Sequence, residues 1–256
     1  MANLGGLFYK GYYADYQGNS DDDKHFDEIN KKLYSYTIID QTFDYFRGSE
    51  YFELKTQYPG LLVGIGNAHE IKDSKTNIKL GFTFDYTTGL PIIPASTVKG
   101  VLRSAFKHEE YIKETLEGFE TNTAINYAGL NIAALDDVIF GDPEEPENTP
   151  LSGRDKFYDA VIRPIQNGRK CILASDTITP HRQDRKWLEL AEPNPISLVR
   201  VPGNIVFTFS FALVASNVDG IIITKDIKLK LFKQIILDLG IGAKTNVGYG
   251  VMVGTV

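Results

Sequence analysis

GLPIIPASTVKGVLRSAFK, Gly89 to Lys107, contains a turn, a stiff extended arm and a helix in one short run. Gly89 permits the turn, and Pro91 and Pro94 hold the backbone extended and bias the residue before each of them away from helix. A helix can therefore start only after Pro94. Ser96 or Thr97 is expected at its N-cap, where a side-chain oxygen accepts from the free amides of the first turn. Val98, Val101, Leu102, Ala105 and Phe106 then recur at three- and four-residue spacing, so one side of this helix faces a core. Lys99, Arg103 and Lys107 fall four apart on the polar side. Three cations in line, on a helix whose start carries unpaired amide donors, suit the backbone of a polyanion. The same pattern also suits a plain solvated face.

A second stretch, GIGAKTNVGYG from Gly240 to Gly250, follows an apolar helical run and precedes the short extended segment VMVGTV. Its four glycines point to close approach by another group, because a residue without a side chain lets backbone amides reach a phosphate. Lys244 and Asn246 are placed to complete such a contact, with Gly242, Thr245 and Gly248 beside them. The stretch is not a nucleotide-binding P-loop, since the GK[ST] ending is missing and the order is helix, loop, strand. It is not a dinucleotide fingerprint either, because Thr245 stands where the third glycine belongs. GYGV at Gly248 to Val251 matches an RNA-recognition strand signature only by chance, Val247 standing where that signature needs a cation. A tight helix-to-strand turn is the alternative reading.

Together the two stretches resemble the RAMP superfamily of CRISPR-associated RNA-binding proteins. Further pieces agree: YPGLLVGIG at Tyr58 to Gly66, VIFGD at Val138 to Asp142, and DTITPH at Asp176 to His181, followed by PNPISLVRVPGNIVFTFSF. Within the superfamily this arrangement is most similar to the terminal backbone subunit of the type III-B Cmr effector complex. The resemblance spans roughly Gly48 to the C-terminus. It implies a ferredoxin-like, RNA-recognition-type fold with large insertions. It also implies guide (CRISPR) RNA and target RNA as ligands, and the other Cmr subunits, namely the backbone nuclease subunit, the small subunit and the head RAMP subunit, as neighbours. Lys99 and Arg103 would contact phosphates beside the helix while the Gly240 to Gly250 loop approaches from the opposite side.

Bulk composition bounds this reading. The chain has 256 residues, 43% hydrophobic and 23% charged, ordinary for a folded globular protein with an ample core. A lone cysteine, Cys171, excludes a disulfide framework and a cysteine-rich zinc site. No run approaches the roughly 20 apolar residues of a membrane span, and the first residues lack a signal pattern, so a cytoplasmic protein is expected. The formal net charge of −6 opposes nucleic-acid binding across the whole surface. Acids are clumped, however, at Asp21 to Asp23 and Asp142 to Glu147, so local charge decides more than the total.

Along the chain, residues 3 to 13, rich in aromatics and glycine, read as an irregular strand or arm that packs on something. Lys24 to Tyr34 suits an amphipathic helix with Phe26, Ile29 and Leu33 inward. Tyr51 to Gly64 reads as a bent strand broken at Pro59 and Gly60, followed by a polar loop to Thr88. Asp142 to Pro150 is expected to be an exposed acidic insertion. Phe157 to Ile165 and Arg169 to Ile178 are expected to form a hairpin around Asn167 and Gly168. From Thr179 to Pro202 periodicity is lost while His181, Arg182, Arg185, Lys186 and Arg200 accumulate around Trp187. Cations interleaved with an aromatic suit nucleic acid through stacking and phosphate contact, and by resemblance this is the thumb-like projection between guide and target. Asn204 to Val214 alternates as a half-buried antiparallel strand, and Asp226 to Leu239 is an amphipathic helix with Phe232, Ile235, Ile236 and Leu239 inward.

These pieces give an α+β chain, an antiparallel sheet with helices on one face, in one domain over 1 to 256. Its insertions are an N-terminal arm (1 to 47), the acidic loop (142 to 150) and the thumb-like segment (179 to 202). No cofactor signature is present, and His25, His69, His108 and His181 are scattered, with no pair at metal-ligand spacing. The expected function is that of a non-catalytic RNA-binding subunit. The alternative is an endoribonuclease using Asp73 or His69, whose four-residue spacing could place them one helical turn apart.

Overall fold

The computed structural model describes residues 3–16, 22–38, 50–64, 69, 71, 76–78, 81–119, 127–141, 154–163, 170–179 and 195–255. Its helices are α1 (Leu4–Tyr9), α2 (Asp22–Ser35), α3 (Ala95–Ala105), α4 (Glu109–Gly118), α5 (Ile132–Phe140) and α6 (Lys225–Leu239). Its strands are β1 (Thr37–Ile38), β2 (Glu50–Thr56), β3 (Ile92–Ile93), β4 (Lys156–Phe157), β5 (Ala160–Ile162), β6 (Lys170–Cys171), β7 (Ala174–Ile178), β8 (Ile196–Arg200), β9 (Val206–Ala212), β10 (Ser216–Val218), β11 (Ile221–Ile223) and β12 (Met252–Gly254).

The alternation of Ile205, Phe207, Phe209, Phe211 and Leu213 makes β9 the centre of the main sheet, and all five side chains are buried. The spatial order is β12-β2-β9-β5-β3, antiparallel throughout, with β4 also pairing β9. On β2 the inward set is Phe52, Leu54 and Thr56. Helix α6 covers this face: the Phe232 ring lies 5.4 Å from Phe211 and 5.8 Å from Phe157. Helix α3 packs against α6. Each such side chain taken fully out of water contributes about 1.5–3 kcal/mol, so the aromatic layer between sheet and helices is a substantial part of the core's stabilisation. The fold is thus a mixed one of helices and antiparallel sheet.

Helix α3 begins two or three residues earlier than an N-cap at Ser96 or Thr97 would place it. Pro94 takes the cap position, its carbonyl accepting from Thr97 and Val98, and neither Ser96 nor Thr97 caps. The Ala95 amide instead donates to the Asp159 carboxylate at 2.6 Å, a partner 64 residues away. A distant carboxylate replaces the local hydroxyl because β3 and β5 pair directly before the helix begins. The helix also ends at Ala105, so Lys107 lies past it, in the turn that follows.

Residues 4–9 and 11–13 are helical rather than a strand-like arm. The Asn3 side chain caps α1 through Gly6, and the Gly5 amide donates to the Gly89 carbonyl, which joins this segment to the turn before β3. Helix α2 buries Phe26, Ile29 and Leu33 as expected. Leu239 differs from expectation, standing 44% exposed at the end of α6. The hairpin expected between residues 157–165 and 169–178 does not form: β5 joins the main sheet against β9, β6 pairs β1, and β7 pairs β8. Buried Ala160 and Ile162 draw the first run into the sheet, whereas the alternately exposed β7 does better in a separate ribbon. The partner strand β8 lies inside the region where sequence periodicity seemed lost.

Among the described residues one ion pair is fully buried. Lys228 of α6 donates to Asp155 at 2.5 Å and to the Val214 carbonyl at 2.7 Å, and the other Asp155 oxygen accepts from the Val214 amide at 2.7 Å. Burial pushes the Lys228 ammonium below its ordinary range, opposed by the carboxylate beside it. The pair ties the first turns of α6 to the ends of β4 and β9.

Candidate nucleic-acid interface

The glycine-rich stretch folds as a loop held at its base on both sides. Ile241 donates to the Gly250 carbonyl at 2.9 Å, Ala243 to Leu62 at 2.9 Å, and Gly250 to Gly60 at 2.8 Å. A side chain on Gly242 would place its Cβ 2.4 Å from the Leu62 oxygen, and one on Gly250 only 1.9 Å from the Ile241 oxygen. The group that approaches these two glycines is therefore the protein's own backbone. Beyond this base Lys244 adopts a left-handed conformation (φ 61°, ψ 37°), and its carbonyl accepts from the Val247 and Tyr249 amides. That turn leaves Lys244, Asn246 and Val247 exposed and Thr245 partly so. Gly248, also left-handed, faces the Pro59 ring.

Three segments remote in sequence meet below the loop. The Tyr249 hydroxyl donates to Asp176 of β7 at 2.7 Å. Arg200 of β8 pairs with the same carboxylate oxygen at 2.9 Å, and its guanidinium also donates to the Pro59 carbonyl. Burial, and then the adjacent carboxylate, push the Tyr249 phenol up to about 12. These four residues come from the runs YPGLLVGIG, DTITPH, SLVRVPG and VGYG. Tyr249, Asp176 and Tyr58 are not among the site residues expected from the sequence. Tyr58 and Tyr249 each stand beside a proline or glycine, a signal that sequence could have used, whereas Asp176 has no such neighbour.

The cations of α3 are placed differently. Lys99 donates to the Phe140 carbonyl at 2.8 Å and lies 6.0 Å from the centre of the Phe157 ring; burial and then the Arg103 charge lower its pKa. Arg103, 33% exposed, pairs with Asp136 of α5 at 2.7 Å. Both groups are engaged between α3 and the end of α5, while Ser96 and Lys107 are exposed and Thr97 is half-buried. The amide end of α3 already meets a carboxylate, that of Asp159.

His69 is buried among aromatic rings, stacked on Tyr12 with centroids 3.9 Å apart and tilted against Phe8 at 4.3 Å. Its two nitrogens face the Ile78 and Phe8 carbonyls at 3.0 and 2.9 Å. Burial lowers its pKa against the raising effect of those carbonyls. This histidine is a packing residue with no exposed nitrogen, which removes it as a general base for RNA. Asp73, the other candidate of the enzyme reading, lies outside the described residues. So do His181, Arg182, Arg185, Lys186 and Trp187, the acidic stretch 142–150, and the Asn167-Gly168 turn. Among the described residues no three His, Cys, Asp or Glu side chains gather as a metal site would. No helix there is long and apolar enough to cross a membrane.

Residues 53–253, which hold β2, α3, β9, α6 and the glycine-rich loop, match the model of the RAMP superfamily. The chain belongs to that superfamily. Among RAMP relatives it is similar to the protein described as CRISPR system CMR subunit Cmr6 of Saccharolobus solfataricus. The two are 28% identical over 228 residues, covering 88% of this chain and 62% of that protein. It is also similar to a chain in the cryo-EM structure of the type III-B Cmr-beta bound to cognate target RNA. The identity there is 25% and the TM-score 0.51, with 90% of this chain and 63% of that one covered. Against the crystal structure of Cmr6 from Pyrococcus furiosus the identity is 22% and the TM-score 0.39, with coverages of 81% and 98%. This RAMP chain thus spans just over three-fifths of the Saccharolobus relative and of the Cmr-beta chain.

Proposed function

We propose that this RAMP chain is a non-catalytic, RNA-binding backbone subunit of a type III-B Cmr effector complex. It holds guide RNA near its 3′ end by the phosphates and contributes to binding target RNA in antiviral defence. Its neighbours are the backbone nuclease, small and head RAMP subunits. The fold reading that accompanies this is ferredoxin-like. It is supported by the antiparallel order β12-β2-β9-β5, with α3 between the first strand and β5 in sequence and α6 between β9 and β12. The similarity to Cmr6 and to a chain of a target-bound Cmr complex supports the assignment to a complex of that kind.

The observation that carries the RNA reading is the glycine-rich loop. An exposed lysine in a fixed left-handed turn stands on a base hydrogen-bonded to the 60–62 segment and, through Tyr249, to the β7–β8 ribbon. Such a loop offers a positioned cation, Lys244, and the Thr245 and Asn246 side chains to a ribose-phosphate chain, on a base whose glycines are packed against the protein's own backbone. Lys107, Ser96 and Thr97 extend the contact, and the 179–202 segment presses on the guide–target duplex. Lys99 and Arg103 contribute less, because a phosphate must compete with Phe140 and Asp136 for them. Sequence specificity resides in base pairing, since phosphate contacts position RNA without reading it.

Ultraviolet crosslinking of guide RNA in the assembled complex, followed by peptide mapping, tests this. A crosslink within residues 240–250 that falls several-fold in Lys244→Ala, with the complex intact, is expected. A wild-type complex that gives guide crosslinks on its neighbours but none on this chain contradicts the proposal and leaves a purely assembling protein.

A further inference from the structure

Beside the lysine loop stands an aromatic side chain for which the fold has no use. Tyr58 is 83% exposed, while the backbone beneath it is fixed. Gly203 packs so closely that a Cβ there would lie 3.1 Å from the Tyr58 amide nitrogen. The next residue, Pro59, is held through its carbonyl by Arg200, and its ring is the nearest neighbour of Gly248. The tyrosine is therefore anchored at its root, free at its ring, and one residue from the left-handed turn that follows Lys244. A ring placed so loses little conformational freedom when a flat partner lies on it.

We propose that Tyr58 is a stacking platform for one unpaired nucleobase of the RNA strand whose phosphates the 240–250 loop holds. This rests on the RNA-binding reading and adds to it a base contact that no phosphate-binding residue supplies. The chemistry favours a base over a protein side chain. The loop that meets this segment at Gly248 exposes a cation, Lys244, and an amide, Asn246, together with two separate apolar residues, Ala243 and Val247. A protein-docking core needs a contiguous apolar patch depleted of charge. A nucleotide uses what this segment and the adjoining loop offer, an exposed π-face for the base and a cation for the phosphate. The platform is indifferent to base identity, because every base has a face to stack.

The experiment uses the assembled complex and guide RNAs carrying a single 5-iodouridine at successive positions, irradiated and mapped to the crosslinked residue. A crosslink to Tyr58 from one position, on wild-type protein, is expected. In direct titration Tyr58→Leu should weaken single-stranded RNA binding about 5- to 150-fold, the range for loss of one stacked base. Tyr58→Phe should bind like wild type. Because no charge is removed, Tyr58→Leu should leave the salt dependence unchanged. Tyr86→Leu, which alters another exposed tyrosine (92%), should change nothing. If RNA binds and Lys244→Ala weakens it while Tyr58→Leu does not, and no position crosslinks to Tyr58, the platform is overturned and the RNA reading stands. If Tyr58→Leu instead releases a neighbouring subunit with RNA affinity per intact complex unchanged, Tyr58 is a protein contact and the platform is equally overturned. A wild-type chain that contacts no RNA overturns both.

Discussion

Single residues in this protein have environments that the sequence could not show. Lys99, Arg103 and Lys244 are all cations near glycines or helix ends, yet two are bonded to the protein itself and the third is turned outward. A charge is legible in sequence; its partner is not, because Asp136 and the Phe140 carbonyl are brought to α3 only by the docking of α5. His69 shows the same at the level of protonation. Burial against Tyr12 and Phe8 outweighs the two carbonyls that would welcome a second proton, so the folded state holds a neutral ring at a pH where the unfolded chain begins to bind a proton. The sign follows: below the ordinary imidazole value of about 6.5 the unfolded chain binds more protons, and stability falls as pH falls. We expect the urea midpoint to decline between pH 7 and 5, this residue contributing at most about 1.4 kcal/mol per pH unit. His69→Gln, though less stable at pH 7, should show a shallower decline over the same interval. An equal slope in both proteins would show that the ring does not titrate in this way.

At the scale of elements, legibility tracked the range of the interactions. Helices α2 and α6 and strand β9 were readable because their apolar periodicity is local and is what they bury. The β7–β8 ribbon was not, because its two strands are separated in sequence and a strong Asn-Gly turn signal lay on the wrong side of β7. The cap of α3 was missed for a related reason, Asp159 being close only once β3 and β5 have paired. The glycine-rich loop was recognised, but Gly242 and Gly250 are required by the close passage of Leu62 and Ile241, a constraint that favours glycine as strongly as a phosphate would. The ribbon is fastened to that loop by Tyr249 and Arg200 through Asp176. Tyr249→Phe removes one hydrogen bond to a carboxylate that keeps its arginine, so a loss of about 1 kcal/mol is expected, read as a lower urea midpoint at unchanged slope. RNA affinity should fall with it if the loop is positioned by the ribbon. Unchanged stability and affinity would mean that the two elements are independent.

Over the whole molecule, the proposed function asks an acidic chain to hold a polyanion. The net charge of −6 opposes a basic surface over the whole chain, and Lys99 and Arg103 of α3 are engaged in internal contacts, so in the proposed role local cations such as Lys244 carry the phosphate contacts. Each phosphate contact that the chain makes in the proposed role should be visible in the salt dependence. The direct measurement is therefore the dependence of guide-RNA affinity on salt in the assembled complex, for wild type, Lys244→Ala and Lys99→Ala/Arg103→Ala. The slope of log K against log salt should shrink by about 0.7 for Lys244→Ala, the value for one contact to a single strand, and by less for the α3 pair, whose loss should register chiefly in stability. An unchanged slope for Lys244→Ala, or a larger change for the α3 pair, would contradict the placement of the RNA backbone on the glycine-rich loop.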